Sequence, residues 1–337
     1  MPGVLVTEKD LHPAAVAVLS DAGFDPVYMS GEITEERLIR ELRETAPFAL
    51  LQRGNPPVTR RVLEAGQPEL RMISRHGVGI NTLDLAAATE LGLPVATAGD
   101  AGAPSVAEHV MALILSAWRD VLWLDSRLKL GRWDHTSYLG RELRGHTLGL
   151  VGFGRIAARV AALAQAFGMR VIATSRTPAR IDPDLAADVG SLDALLDQSD
   201  IVSLHVPLNA QTAGIIGDAE LGRMKKTALL VNVGRGGLVD EEALARRLHA
   251  GDLAGAAVDV LMNEPPQPGD PLLAAPNVIA TPHIAAFTAG SMERTATTAA
   301  RNIVRFHETG TVEPALLANP EVMAGSRNAD RRGAGGA

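Results

Sequence analysis

Thr147-Leu148-Gly149-Leu150-Val151-Gly152-Phe153-Gly154-Arg155-Ile156-Ala157 is the stretch that decides how this chain is read. Leu148 to Val151 is a short apolar run, which predicts a buried parallel strand. Behind it Ile156, Val160, Leu163 and Phe167 recur at helical spacing, and Gly168 can end that helix. Gly152 permits a tight turn, Gly154 lets the backbone approach a pyrophosphate, and the small Ala157 lets helix and strand pack closely. The free N–H groups at the helix start then face two phosphates, with the helix dipole assisting. Glycine turns between strand and helix are common, so the surroundings must carry the reading.

The next strand, Arg170 to Thr174, ends where the ribose-reading residue belongs, roughly 20 residues on. No acid stands there. Ser175, Arg176 and Thr177 follow, with Arg180 beyond them. A carboxylate would accept hydrogen bonds from a ribose 2′-OH, whereas a small hydroxyl with arginines suits a 2′-phosphate. The residues therefore predict NADP(H) in preference to NAD(H). Solvated loop arginines are the plainer alternative.

The chain of 337 residues is long enough for two domains with their own cores. It is 46% apolar and 21% charged, with a net charge of −7 and no long basic block, which argues against a nucleic-acid partner. There is no cysteine, so disulfides, thiolate catalysis and cysteine metal sites are excluded. The first residues lack the order of a signal peptide, and no apolar stretch approaches a membrane span. A cytoplasmic protein without a membrane partner is expected.

Working outward, residues 1–98 read as a small α/β unit. Strands are predicted at Val4 to Thr7, Phe48 to Leu51, Met72 to Ser74 and Val95 to Thr97. Helices are predicted at Pro13 to Ala22, from Thr34 to Leu42, and at Leu85 to Leu91. Such alternation implies a parallel sheet covered on both faces. Arg53 and Gly54 follow one strand, and Arg75-His76-Gly77-Val78-Gly79 follow another, at the carboxyl edge where open sheets bind ligands. The glycines there can offer N–H groups to a carboxylate. A tight turn with a surface arginine explains either spot equally well.

A capping box at Ser105 and Glu108 and an apolar stripe from Val106 to Leu128 predict one long helix, up to about Leu130. Glu108 and His109 read as a capping carboxylate and a packed imidazole rather than an acid/base pair. The segment Gly131 to Arg144, with Trp133 and Tyr138, reads as a loop of exposed aromatics, suited to a subunit interface or to a lid over the core. A second unit of doubly wound, Rossmann type is predicted, with strands at 147–151, 170–174, 200–204, 229–233, 255–259 and 277–281. A helix over 288–308 has no strand to follow and is expected to return to the first unit. The domains are thus 1–99 with 287–317, and 100–286. From Ala318 to residue 337 the composition predicts disorder.

Three strand ends of the second unit carry polar groups: Arg235 in a glycine-rich turn, Asp259 with Glu264 five residues on, and His283 in Thr-Pro-His-Ile. All leave the edge where the dinucleotide binds, so an arginine, a carboxylate and a histidine are expected to converge there.

These motifs resemble the D-isomer-specific 2-hydroxyacid dehydrogenases. The likeness covers about residues 45–310 and includes Gly-Val-Gly-Ile-Asn-Thr-Leu-Asp at 77–84, Ser-Val-Ala-Glu-His at 105–109, Gly-Arg-Trp at 131–133, Val-Asn-Val-Gly-Arg-Gly-Gly-Leu-Val-Asp at 231–240, Ala-Val-Asp-Val at 257–260, Glu-Pro-Pro at 264–266 and Thr-Pro-His-Ile at 281–284. The resemblance implies two Rossmann-like parallel-sheet domains, a flavodoxin-like substrate domain and a dinucleotide-binding one, with a cleft between them. It implies catalysis by Arg235, Glu264 and His283, and substrate contacts at Arg53, Arg75, Val78 and Gly79. It implies cofactor contacts at Gly152, Phe153, Gly154, Arg155 and Ile156, at Ser175, Arg176 and Thr177, at His205, Val206, Pro207 and Thr212, and at Val233 and Asp259, the last touching the nicotinamide amide. No metal is implied. A homodimer is.

Substrate choice divides. Arg53 and Arg75 match arginines of the phosphoglycerate dehydrogenase branch, whereas Ser175-Arg176 resembles NADPH-using glyoxylate/hydroxypyruvate reductases. Residues 97–104 and Ala285-Ala286-Phe287 depart from the usual pattern. The expectation is a 2-ketoacid reductase for a small polar 2-oxo or 2-hydroxy acid. A phosphoglycerate dehydrogenase-like enzyme is the alternative, and a dinucleotide-sensing corepressor is an alternative of another class. Formate oxidation is disfavoured, because that branch has glutamine where this chain has Glu264.

Overall fold

A computed structural model describes residues 2–133 and 135–323. Contacts divide the chain between Gly102 and Ala103, and again between Phe287 and Thr288. Among the described residues, no helix is long and apolar enough to cross a membrane.

The first unit begins with β1 (Gly3–Val6), α1 (Pro13–Asp21), β2 (Asp25–Tyr28), α2 (Glu35–Thr45), β3 (Ala49–Gln52), α3 (Arg60–Ala65), β4 (Met72–Arg75), α4 (Leu85–Glu90) and β5 (Val95–Ala96). Its strands are all parallel, in the order β2-β1-β3-β4-β5. That order is flavodoxin-like. Strand residues alternate between two cores. Leu5, Leu50, Ile73 and Val95 pack with α2, α3 and α4 on one face, while Val4, Val6, Leu51 and Met72 pack with α1 on the other. The edge strand β2 is absent from the sequence reading. It is short and carries Pro26, which an edge position tolerates.

The second unit contains α5 (Ala103–Trp118), α6 (Val121–Lys129), β6 (Thr147–Val151), α7 (Arg155–Ala166), β7 (Arg170–Thr174), β8 (Ala187–Asp188), α8 (Leu192–Gln198), β9 (Ile201–Leu204), α9 (Asp218–Arg223), β10 (Leu229–Asn232), α10 (Glu241–Ala250), β11 (Gly255–Val258) and β12 (Val278–Ala280). The parallel sheet runs β12-β11-β10-β9-β6-β7-β8, so strand order reverses at β6 and β9. Ligands of open α/β sheets bind beyond the carboxyl ends at such a reversal. Leu148, Leu150 and Val231 pack with α5 and α7, while Val151, Val202 and Leu230 pack with α8, α9 and α10.

The chain then returns through α11 (Ala289–Thr309), whose Ala296, Ala299 and Ile303 join the α1 face of the first sheet. Three expectations need correction. The predicted long helix is two, because Asp120 takes a left-handed φ of 49° between α5 and α6. Its capping box is not formed: α5 starts at Ala103, which leaves Ser105 and Glu108 inside the helix. Residues 318–323 are ordered, because Asn319 is fully buried and its side chain accepts from the Val95 N–H at 2.8 Å and donates to the Leu93 carbonyl at 3.0 Å. Residues 324–337 of the predicted tail lie outside the described residues.

Candidate active site

At the strand reversal, the turn after β6 has the expected form. Gly152 has φ of 90°, and a Cβ there would meet the His205 carbonyl at 2.8 Å and Val206 Cγ1 at 2.7 Å. Only glycine satisfies both demands. Gly154 faces open space, no side chain among the described residues caps α7, and Ala157 is fully buried. Uncapped N–H groups behind an open glycine fit the pyrophosphate of a dinucleotide. Phe153 is buried, whereas Arg155 is exposed and Ile156 partly so.

Beside this turn, Gly152 N donates to the Thr174 carbonyl at 2.9 Å, which sets Ser175 next to it. Ser175 Oγ accepts from the Thr177 N–H at 3.1 Å and closes a small turn. Arg176 and Arg180 are exposed, and neither has an ion-pair partner among the described residues. His205 lies just past β9, and its Nε2 stands 3.0 Å from Ser203 Oγ. Burial lowers its pKa to about 4, so this imidazole is neutral near pH 7. Val206 is partly buried and Pro207 exposed beside it. Thr212 is buried, and its hydroxyl donates to the Pro207 carbonyl at 2.5 Å. Its side chain thus shapes the 207–212 loop.

The neighbouring strands β10, β11 and β12 end in the three polar loops. His283 has φ of 54°, unusual for a residue with a Cβ, and its N–H is held by the Asp259 carbonyl at 2.8 Å. Its Nδ1 lies 2.7 Å from Glu264 Oε2, and Oε1 of the same carboxylate accepts from the Leu261 N–H at 3.0 Å. The two side chains are 47% and 39% exposed, so this pair faces solvent rather than the core.

Arg235 is partly buried just beyond β10, with Nη1 donating to the Gly234 carbonyl at 2.6 Å. Among the described residues, no hydrogen bond or ion pair joins it to Glu264 or His283. Backbone packing nonetheless joins their loops. A Cβ on Gly236 would run into the Leu261–Met262 peptide. Val233 is partly buried beside that turn.

Asp259 is 1% exposed and committed within the protein. Its Oδ1 accepts from Thr281 Oγ1 at 2.5 Å and the Ile284 N–H at 2.9 Å, and its Oδ2 from the Ala285 N–H at 2.9 Å. Burial alone would raise this carboxyl, but the hydrogen bonds, from His109 and Thr281 first, hold it below the ordinary aspartate value. Its observed task is to fix the loop that carries His283, ahead of any contact with a nicotinamide.

Several supporting residues escaped the sequence reading. Asn232 accepts from the Gly234 N–H at 3.0 Å and donates to the Arg235 carbonyl at 2.9 Å, bracing the arginine turn. His109 Nε2 lies 3.0 Å from Thr281 Oγ1 and 3.5 Å from Asp259, so it is more than a packed imidazole. Glu241 Oε1 accepts from the Met262 N–H at 2.7 Å and steadies the Glu264 loop. Asn232 and His109 stand inside the motifs at 231–240 and 105–109, and Glu241 directly follows the first, so the only signal was the motif itself.

In the first unit the arginines behave differently from expectation. Arg75 is 6% exposed, and its Nε and one Nη both donate to the Gly79 carbonyl, at 3.0 and 2.7 Å. It clamps the glycine loop from inside and does not present a fork to a substrate. Arg53 Nη1 pairs with Glu8 at 2.9 Å, so its fork is already engaged. Val78 is exposed, and among the described residues no acceptor meets the N–H groups of Val78 and Gly79. Those two groups remain available to an anion.

The family model of the D-isomer specific 2-hydroxyacid dehydrogenase NAD binding domain matches residues 111–285. The chain is 40% identical over 341 residues to a glyoxylate reductase from Aeropyrum pernix, covering 96% of this chain and 97% of that one. It is 38% identical over 327 residues to the chloroplastic D-3-phosphoglycerate dehydrogenase 2 of Arabidopsis thaliana, but spans only 52% of that relative's length. Among solved structures, an NADPH-dependent glyoxylate/hydroxypyruvate reductase from Sinorhizobium meliloti superposes with a TM-score of 0.83 at 27% identity, covering 95% of this chain and 99% of that one. A binding site for a nicotinamide dinucleotide follows from the matched domain. The chain belongs to the D-isomer specific 2-hydroxyacid dehydrogenase family.

Proposed function

We propose that the protein reduces a small 2-oxo acid to the D-2-hydroxy acid, with Arg235, Glu264 and His283 as the catalytic residues. The observation that carries this reading is the 2.7 Å contact between His283 Nδ1 and Glu264, made by an imidazole that faces solvent beyond the last strand. When bound, the reduced nicotinamide cofactor would supply the hydride that the ketone carbon needs. His283 supplies the proton that the ketone oxygen then needs, from Nε2, while Glu264 holds Nδ1 and so fixes the ring's tautomer and orientation. Arg235 holds the substrate carboxylate as a planar fork and polarises the ketone. The N–H groups of Val78 and Gly79 take the other carboxylate oxygen. On this reading residues 1–99 with 287–317 form the substrate domain, and residues 100–286 the dinucleotide domain.

The preference for NADPH over NADH rests on Ser175 and on Arg176, an exposed cation without an ion-pair partner among the described residues. The NADPH-dependent relative points the same way. A panel of 2-oxo acids assayed with each reduced cofactor tests both statements. Turnover of glyoxylate or hydroxypyruvate, faster with NADPH, is expected. Preferred use of NADH overturns the cofactor assignment, and tight cofactor binding without any turnover favours a sensor protein over an enzyme.

The working form is a homodimer in the cytoplasm. No residue of α6 is buried, and Leu122, Trp123, Leu128, Leu130, Trp133 and Leu139 are exposed apolar side chains at and after it. Monomers rarely leave so much apolar surface uncovered. Sedimentation is expected to show twice the chain mass, and Trp123→Glu to shift it toward the monomer.

A further inference from the structure

Three basic side chains, Arg53, Arg75 and His76, stand at the carboxyl edge of the first sheet, and each is held differently. Arg75 is turned inward onto Gly79. His76 is partly buried, and this desolvation, with the charge of Arg53 next, lowers its pKa to about 4 and leaves it uncharged. Arg53 reaches the surface, where it pairs with Glu8.

That pairing is built. Buried Thr7 accepts from the Arg53 N–H at 3.0 Å and donates its own N–H to Leu51, which stitches the ends of β1 and β3 together. The stitch sets Glu8 beside Arg53, with Nη1 at 2.9 Å and both side chains about a quarter exposed, at 27% and 26%. Nη2 lies 3.8 Å from Met292 Sδ. Because β1, β3 and β4 are neighbours, Glu8, Arg53 and the loop bearing Val78 and Gly79 follow one another along roughly 10 Å of sheet edge.

We propose that Glu8 is a specificity-determining residue, which selects 2-oxo and 2-hydroxy acids whose distal group is uncharged and rejects those with a distal phosphate or second carboxylate. This rests on the reading that the 78–79 loop holds the substrate carboxylate. With that carboxylate in place, the distal group points along the edge toward the Glu8–Arg53 pair. A hydroxyl there can hydrogen-bond to either partner. A dianion meets a carboxylate as well as a guanidinium, and must break the pair to use the fork.

The test is calorimetric titration of the cofactor complex with D-glycerate and with 3-phosphoglycerate, which differ only by the phosphate. Wild type is expected to bind D-glycerate more tightly. Glu8→Gln is expected to shift the ratio toward 3-phosphoglycerate by about tenfold, and Glu8→Ala to do the same. Adding Arg53→Gln to either should abolish the gain, since the released fork is then gone. An unchanged ratio in both Glu8 variants overturns the assignment, as does wild type preferring the phosphate or binding neither ligand. If the ratio shifts while no 2-oxo acid is ever reduced, the enzyme reading falls and Glu8 keeps its role. If 2-oxo acids are reduced while the ratio stays put, Glu8 loses its role and the enzyme reading stands.

Discussion

Two arginines stand at strand ends beside glycine-bearing turns, and they meet different fates. Arg75, the last residue of β4, is buried with two donors on one loop carbonyl. Arg235, after β10, is partly buried and engages only the carbonyl of its neighbour Gly234. The same residue type in the same kind of turn is a clamp in one sheet and an available fork in the other. What separates them is how far the loop buries the guanidinium and how many of its donors one carbonyl engages, and that depends on tertiary placement. Arg235 stays available because Asn232 takes over the bracing of its turn.

The difference can be sharpened by substitution. The largest effect is expected at the exposed pair: His283→Gln should lower kcat by about 10²–10⁴-fold while leaving cofactor affinity intact, in keeping with loss of a general acid. Steady-state kinetics beside a fluorescence titration of the cofactor checks this. Gly236→Ala comes next. Its methyl would collide with the Leu261–Met262 backbone and push the arginine turn from the Glu264 loop. A displacement near 1 Å can cost roughly 10²-fold in rate, which kcat/KM should report.

Lysine at the two arginines then breaks the comparison directly. Arg235→Lys should raise KM for the 2-oxo acid about tenfold or more, because an ammonium forms no planar fork, with little change in melting temperature. Arg75→Lys should do the reverse, losing about 1.5–3 kcal/mol of stability in urea unfolding with KM nearly unchanged once folded. Equal KM effects from both would erase the distinction. The smallest expected effect is at Asp259. Its folded pKa lies below the ordinary value, so its stabilisation is present above about pH 4 and lost as pH falls through the folded pKa. Asp259→Asn should therefore flatten the acid limb of the stability curve.

Much of this molecule was legible from residue order. The strand–glycine–helix unit at β6 and α7 lies where its periodicity placed it, because each element is fixed locally by apolar spacing and by glycine. The same holds for α10, with Asp240 at its start and Gly251 in the left-handed conformation at its end. What escaped depends on distant partners. The apolar stripe through residues 106–128 continues across the break at Asp120, so periodicity alone could not show two helices. The polar and small residues after Ala318 read as disorder, yet one buried asparagine pins residues 318–323 to β5. His109, Thr281 and Asp259 are far apart in sequence and meet because α5 packs beneath β11. Arg53 reads in sequence as an anion holder, whereas Glu8, from another strand end, sits on its fork.

The most direct test of the central claim is the handedness of the product. Hydroxypyruvate is reduced with NADPH and the glycerate formed is resolved by chiral chromatography. The account predicts the D-enantiomer alone from the wild-type protein, and almost none from His283→Gln over the same time. An L or racemic product, or equal yields from the two proteins, would contradict it.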